Sequence, residues 1–530
     1  MGCSPRTATI LLIFLTTLLR VVWAASLDAL NDEAYHWQFV VHPAFSYFDH
    51  PPMTAWVTGL GIAMCGGWVD PVSLRLGFIL LFAGACWILY RWTARWYGEL
   101  AGFWAVVGLS LSHYYTAFGG MMAVPDSPLL FFSLLTFWQL GEAIRFRNLT
   151  PLLNLPPLRH GEGEPDSPAL WTRGHLSRWL LVGVGLGGAL LSKYHAVLIP
   201  LSVVVYAVIT PGTRRLLWSS GPWLAVFVAL LMFSPVIVWN AENDWASFKF
   251  QGGRASRAGG SLFHEGPLKW LFGPMLFLLP WFWFWLVYGL VARLRHFRSL
   301  EGIDRLIVVL SVVPLVFFLI TSFMSPLALP HWAIIGYVPL YPLAGATWVR
   351  VRNWSAKWFR IMVACWVAME AVILVAIYLQ ASEGVLNLPP GVVDETRQFS
   401  GWRSVAANLD ERGLLNDSNA FLFTDNWETA GQLAFAIRNR IPVTCYHTFD
   451  ARGFSFWSKP TDYLGRTGYM VLVDGPEEVE TQREFGPYFE RVVLIAEFPM
   501  TRSGKPFRQM KVYRCERQIK PYPFHYTLRK

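Results

Sequence analysis

Long apolar runs separated by short charged loops recur from Thr7 to about residue 380, and they decide what this chain can become. A helix needs about 20 apolar residues to cross a bilayer core, because only a helix or a closed barrel satisfies its backbone groups there. The runs predict spans at about 7–25, 72–90, 99–118, 126–144, 179–192, 193–210, 219–239, 268–291, 306–324, 331–348 and 360–380. The pair 179–192 and 193–210 is too long for one helix and short for two. Its insert Ser192-Lys193-Tyr194-His195 predicts a break at the outer surface. Only 15% of residues are charged, against roughly 25% in a soluble chain. That excludes a cytosolic enzyme, a disordered scaffold and a collagen-like chain. The first run reads as an uncleaved span rather than a cleavable signal peptide, because many more follow.

Loop charge orients the chain. Arg91 and Arg95, then Arg145, Arg147, Arg159, Arg173 and Arg178, then Arg214 and Arg215 all fall on one side of the predicted spans. Arg293, Arg295, Arg298 and Arg305, and Arg350, Arg352, Lys357 and Arg360, continue the pattern. Residues 26–71 and 112–125 hold no Lys or Arg. The positive-inside rule then puts the N-terminus in the cytoplasm and the C-terminus outside. The net charge of +9 is thus a matter of orientation, not of nucleic-acid binding. Loop 240–267 is the exception, with Lys249, Arg254 and Arg257, and external cations need a reason.

Domain organisation follows. Residues 1–380 form the membrane domain, and 381–399, with Asn387-Leu388-Pro389-Pro390-Gly391, a linker. Residues 400–530 read as a small soluble α/β domain. Strand-like runs appear at Ala420–Thr424, Val443–Tyr446, Met470–Val473, Val492–Phe498 and Met510–Tyr513, with a helix over Trp427–Arg438. A Pro/Gly-rich cytoplasmic loop is expected at 149–175. The six cysteines show no metal-ligand spacing. Cys445 and Cys515 share the tail and either pair or pack as small hydrophobes.

Chemistry concentrates outside. The loop after the first span reads Asn31-Asp32-Glu33-Ala34-Tyr35-His36-Trp37, then Tyr47-Phe48-Asp49-His50-Pro51-Pro52-Met53. About 45 residues without a cation is no minimal connector, and long ordered loops tend to carry function. The bland alternative is that Asp32 and Glu33 only favour a helix N-terminus. Asp126, in Val124-Pro125-Asp126-Ser127-Pro128, lies on the same face and reads as a second acid or an N-cap. His50, Lys193, Arg254 and His331 share that face. A cation near membrane depth costs roughly 2.5–3.5 kcal/mol unless partnered. Lys193 therefore either holds an anionic ligand or snorkels. Cations steadying a leaving lipid phosphate, beside a carboxylate that takes a proton from a hydroxyl, make a glycosyl-transfer arrangement.

These motifs resemble the first periplasmic loop of bacterial family 39/83 glycosyltransferases, which have the C-type membrane glycosyltransferase fold. The nearest subgroup is similar to rhizobial lipopolysaccharide galacturonosyltransferases. Lipid A aminoarabinose transferase and protein O-mannosyltransferases are more distant. Pro125-Asp126-Ser127-Pro128-Leu129, Leu191-Ser192-Lys193-Tyr194, Phe248-Lys249-Phe250-Gln251 and Leu329-Pro330-His331-Trp332 support the resemblance. Gly401-Trp402 and Thr429 to Ala436 carry it into the tail.

The resemblance implies a polytopic helical enzyme of about 11–13 transmembrane helices in the bacterial inner membrane. It would perform inverting transfer of a monosaccharide from a polyprenyl (undecaprenyl) phosphate carrier. The acceptor is lipopolysaccharide or lipid A, a cell-wall glycan or a protein. Asp32, Glu33 and Asp126 match catalytic positions. Lys193, His50, His331 and Arg254 are assigned to the donor phosphate, and Tyr35, Tyr194 and Trp332 to the substrate pocket. His50 stands where the aminoarabinose enzyme has Lys. No cofactor is implied, although Asp32 and Glu33 could hold a divalent cation, as acidic pairs do in related oligosaccharyltransferases. A transporter or flippase of lipid-linked sugars, or a non-catalytic envelope subunit, are the alternatives. A transporter would place ionisable residues mid-helix.

Overall fold

The structure is a computed structural model that describes residues 3–144, 173–256, 265–300, 302–325, 329–389, 392–476 and 478–523. Most of the loop expected at 149–175, with Arg145, Arg147 and Arg159, lies outside the described residues, as do Arg257 and Pro390-Gly391 of the linker.

The first half comprises α1 (Pro5–Ser26), α2 (Asn31–Val41), α3 (Met53–Met64), α4 (Pro71–Tyr97), α5 (Glu99–Ser110), α6 (His113–Ala117), α7 (Asp126–Ala143), α8 (Arg173–Ser192) and α9 (Leu198–Ile209). There follow α10 (Ser220–Glu242), α11 (Ala246–Ser256), α12 (Gly266–Leu278), α13 (Pro280–Leu294), α14 (Gly302–Met324), α15 (Tyr341–Trp354) and α16 (Ala356–Glu383). Among the described residues, α1, α4, α10, α14 and α16 are each long and apolar enough to cross a membrane alone.

The chain breaks at Lys193, as expected. There α8 ends, Lys193 is extended (φ −156°), and a 3-10 turn over Tyr194–Val197 leads into α9. Three other expected spans are interrupted. The run 268–291 bends by 113° between α12 and α13. Pro280 opens α13 without an N–H to offer the preceding turn, and Leu279 takes φ 66°. The run 99–118 leaves the α-helix after Ser110 and resumes as the short α6. The run 331–348 starts as 3-10 turns at Pro330–Gly336 and Val338–Leu340 before α15 begins. Pro330, Pro339 and Pro342 each remove a donor there.

Helix α3 lies between α2 and α4 in the chain and presses on α4. A Cβ at Gly61 would sit 2.3 Å from the Ser73 carbonyl oxygen. Gly61→Ala is therefore expected to cost about 1–3 kcal/mol, read as a lower melting temperature in detergent.

Beyond α16 come α17 (Trp402–Glu411), β1 (Ala420–Thr424), α18 (Trp427–Ile437), β2 (Val443–Cys445), β3 (Thr467–Val473), β4 (Phe489–Arg502) and β5 (Lys505–Gln518). The sheet order is β2-β1-β3-β5-β4. β1 runs parallel to both neighbours, while β3–β5 and β5–β4 are antiparallel. The hairpin strands are longer than their apolar runs, because charged residues alternate with buried ones along them. Its turn, Ser503-Gly504, has φ 48° and 77°, which suits a two-residue connection. Cys445 and Cys515 are both buried and free. They lie on β2 and β5, with β1 and β3 between. Three strand spacings come to roughly 14 Å, beyond disulfide reach.

This domain shares a core with the loop after α1. Tyr35, Phe39 and Tyr47 pack in one cluster with Phe421, Trp427, Tyr446 and Phe454. Gly431 lets α18 approach α2 closely: a Cβ there would lie 3.0 Å from Tyr35 backbone.

Candidate active site

Helix α2 carries the acids, and its first turn divides them. Glu33 is buried and saturated. Its carboxylate accepts from Arg75 Nε at 2.8 Å and Arg75 Nη2 at 2.6 Å. It also accepts from the backbone N–H groups of Leu30 and Ala123, each at 2.8 Å. Arg75 is itself fully buried and donates to the carbonyls of Ala24, Leu27 and Asp28. This network ties α1, α2, α4 and the segment before α7 together. Glu33 has no free oxygen for a substrate proton or a cation, so the expected acidic pair is presented as Asp32 alone. Asp32 is exposed and makes no hydrogen bond or ion pair among the described residues. Arg75 went unnoticed in the sequence, although a cation near the start of an apolar span, next to an acidic loop, was a signal.

His36 Nδ1 lies 2.8 Å from the Ala123 carbonyl oxygen, a second tie between α2 and the segment leading to Asp126. Asp126 meets Lys193, with Nζ at 3.0 Å from Oδ1 and 3.1 Å from Oδ2. The cation at the broken helix thus has a protein partner. Asp126, Lys193, His195, His331 and Trp332 line one small pocket. Arg254 reaches toward it from α11. Its guanidinium stacks over Trp332 at 5.3 Å and Phe250 at 5.5 Å. Among the described residues it makes no ion pair.

Asp49 and His50 belong to a second cluster. Asp49 is 1% exposed and accepts from Tyr35 Oη at 3.1 Å and Arg452 Nη1 at 3.1 Å. Tyr35 Oη accepts in turn from the Gly453 N–H at 2.9 Å. Arg452 comes from the soluble domain and stacks over Trp427 at 4.1 Å. Tyr35 therefore joins the two domains instead of facing an open pocket. Burial raises the Asp49 carboxyl, but the charge of Arg452 and the hydrogen bond it donates work against burial, and the group lies below its usual value. Burial, with the charges of His36, Lys193 and Arg452, pushes His50 down to about 3, against the pull of Asp49. His50 is thus neutral at physiological pH.

That gives a pH prediction. Unfolded His50 titrates near 6.5, so its folded form, with a lower value, contributes stability above about pH 6.5 that is lost as pH falls toward 3. His50→Gln is expected to flatten that acid-side loss in a melting-temperature profile.

Glu428, at the first turn of α18, accepts from Asn31 Nδ2 at 2.8 Å. Burial raises its carboxyl, and the charge of Asp32 adds to the rise. Tyr194 packs edge-on against Phe248 at 5.5 Å. The residues missed in the sequence, Arg452 and Glu428, lie some 400 positions from their partners, and no local pattern marks them. Among the described residues no three His, Cys, Asp or Glu side chains gather as metal ligands.

Residues 49–155 and 169–239 match the family described as dolichyl-phosphate-mannose-protein mannosyltransferase. The chain is 23% identical over 367 residues to lipid A galacturonosyltransferase RgtD of Rhizobium johnstonii, covering 66% of this chain and 67% of that protein. Its fold is similar to ArnT from Cupriavidus metallidurans bound to undecaprenyl phosphate, with TM-score 0.61 and 16% identity over 95% of this chain and 97% of that one. The apo form of ArnT matches with TM-score 0.59 and 16% identity, covering 96% and 98%. The resemblance drawn from the first loop thus holds for the family signature and the fold.

Proposed function

From a chain with the C-type membrane glycosyltransferase fold, we infer a membrane enzyme that moves a monosaccharide from a polyprenyl phosphate carrier to an extracytoplasmic acceptor. Undecaprenyl phosphate is the carrier we assign, and the inner membrane the location, with the N-terminus cytoplasmic and the soluble domain outside. RgtD makes a lipid A-like acceptor and a uronic acid the first to test.

One observation carries this reading. Arg254 is a half-buried cation held on two aromatic rings, without an ion-pair partner among the described residues, beside the pocket that Lys193, His331 and Trp332 line. Such a group awaits an anion, and a phosphate fits its fork. Lys193 adds charge, while Asp126 holds its ammonium in place. Asp126 is thereby a positioning acid, and proton removal falls to Asp32. His50, being neutral, offers a hydrogen bond and no charge. Glu33 acts as structure.

In the step proposed, the acceptor hydroxyl oxygen bonds to the anomeric carbon as the bond from that carbon to the phosphate oxygen breaks. The hydroxyl proton goes to Asp32, and polyprenyl phosphate departs with its charge met by Arg254 and Lys193. Attack opposite the leaving group inverts the anomeric centre.

Arg254→Leu is expected to weaken undecaprenyl phosphate binding by about 10- to 100-fold, the loss of a charge-assisted contact, measured by titration in nanodiscs. Unchanged binding would remove the phosphate assignment. Mass spectrometry of envelope glycolipids with and without the gene reads sugar and acceptor together; no altered glycan would count against transfer.

A further inference from the structure

Asp32 makes no hydrogen bond or ion pair among the described residues, so its place is inherited from the turn that carries it. That turn starts weakly. Leu30 stands at the N-cap position of α2 and offers no side-chain acceptor, where Ser, Thr, Asp or Asn would satisfy an open N–H. The residues on either side of Asp32 anchor the turn instead. Glu33 is locked to Arg75 of α4 and to the Ala123 N–H. Asn31 is locked to the C-terminal domain.

The grip on Asn31 is two-ended. Glu428 Oε2 accepts from Asn31 Nδ2 at 2.8 Å. Gln432 Nε2 donates to Asn31 Oδ1 at 3.0 Å, to the Ala29 carbonyl at 2.8 Å and to the Gln398 carbonyl at 3.3 Å. An acceptor at one end of the amide and a donor at the other leave it a single orientation. Glu428 and Gln432 are four positions apart and share a face of α18, as Asn31 and Tyr35 share a face of α2. These two faces meet: a Cβ added at Gly431 would lie 3.0 Å from the Tyr35 backbone. Gln432 is 1% exposed, so packing holds its amide as well.

The turn so fixed is close to the groups assigned to transfer. The charge of Asp32 is felt by Glu428 and by Arg254, the guanidinium set beside the Lys193 pocket. Where the carboxylate of Asp32 stands therefore matters to the reaction, and a misplacement of about 1 Å can cost about 10²-fold in rate.

We propose that Gln432 and Glu428 are positioning residues for transfer: gripping Asn31, they fix the first turn of α2, and the C-terminal domain thereby sets where the base stands. The proposal rests on the transfer reading, with Asp32 as base.

The test uses the full chain in proteoliposomes, with galacturonosyl undecaprenyl phosphate as donor and lipid A as acceptor. Gln432→Met and Asn31→Ala are each expected to lower kcat per folded molecule by about 10- to 100-fold. The KM for the donor is expected to stay unchanged, because the groups assigned to its phosphate are untouched. Glu428→Ala is expected to act in the same way. Glu428→Gln keeps an amide oxygen that can accept from Asn31, so it is expected to restore most of the rate. In an Asp32→Asn background, Gln432→Met is expected to cost less than about threefold, because residues that act as a unit are not additive. A general loosening of the fold would lower the rate by the same factor in both backgrounds and would not distinguish Gln from Ala at position 428. Either result would overturn the proposal. Parent kcat in Gln432→Met, Asn31→Ala and Glu428→Ala, beside an inactive Asp32→Asn, would overturn the positioning and leave the transfer reading intact. Parent kcat in Asp32→Asn would sink the base assignment and the positioning with it.

Discussion

Asp32→Asn is expected to lower sugar transfer by about 10²- to 10⁴-fold, the usual worth of a general base, with carrier binding and melting temperature little changed. Asp32 is exposed and without a partner among the described residues. Its replacement removes only a favourable charge at a helix N-terminus, about 0.3–1 kcal/mol. Because Asp32 makes no hydrogen bond or ion pair among the described residues, a rate effect without a stability effect separates catalysis from structure. The assay is donor-dependent transfer in proteoliposomes, with folded enzyme counted. Full activity in Asp32→Asn would remove the base assignment.

Arg75→Met should show the opposite pattern. It strands Glu33 in a site where both partners are wholly buried. Breaking such a pair from one side costs about 3–5 kcal/mol, so the expected result is a steep fall in melting temperature and in yield of folded protein. Glu33→Gln keeps the shape and loses the charge, so it should destabilise less. Turnover per folded molecule should stay near that of the parent in both variants. If Glu33→Gln instead folds well and loses turnover by orders of magnitude, Glu33 is a catalytic acid after all. The adjacent residues Asp32 and Glu33 thus make a sharp contrast: neighbours in the chain, one exposed and one locked to α4.

The difference between them was not readable from sequence. Consecutive positions on a helix point about 100° apart; which of the two faces solvent depends on where α4 and the segment before α7 pack. The same holds for Lys193. Its break in the apolar run was legible, because a cation in the middle of such a run must reach water or a partner. That the partner is Asp126, 67 residues away, was not. His50 was legible as a departure at the position where related enzymes have Lys. Its neutrality follows first from burial, and then from His36, Lys193 and Arg452, brought in by separate segments. The bend at Leu279 had a local cause in Pro280, yet hydropathy averages over a window and passes across a single proline.

Sequence alone determined the solvent this protein folds in, the strands of its tail and the segments that carry the acids. Those are properties of composition, periodicity and local charge, which act over a few residues. Only the tertiary structure decided which acid is free and which cation lacks a counterion among the described residues, and that the C-terminal domain lends Arg452 and Glu428 to the loop after α1. Those depend on pairings between segments hundreds of residues apart, and burial and electrostatic partnership exist only once the chain has closed on itself.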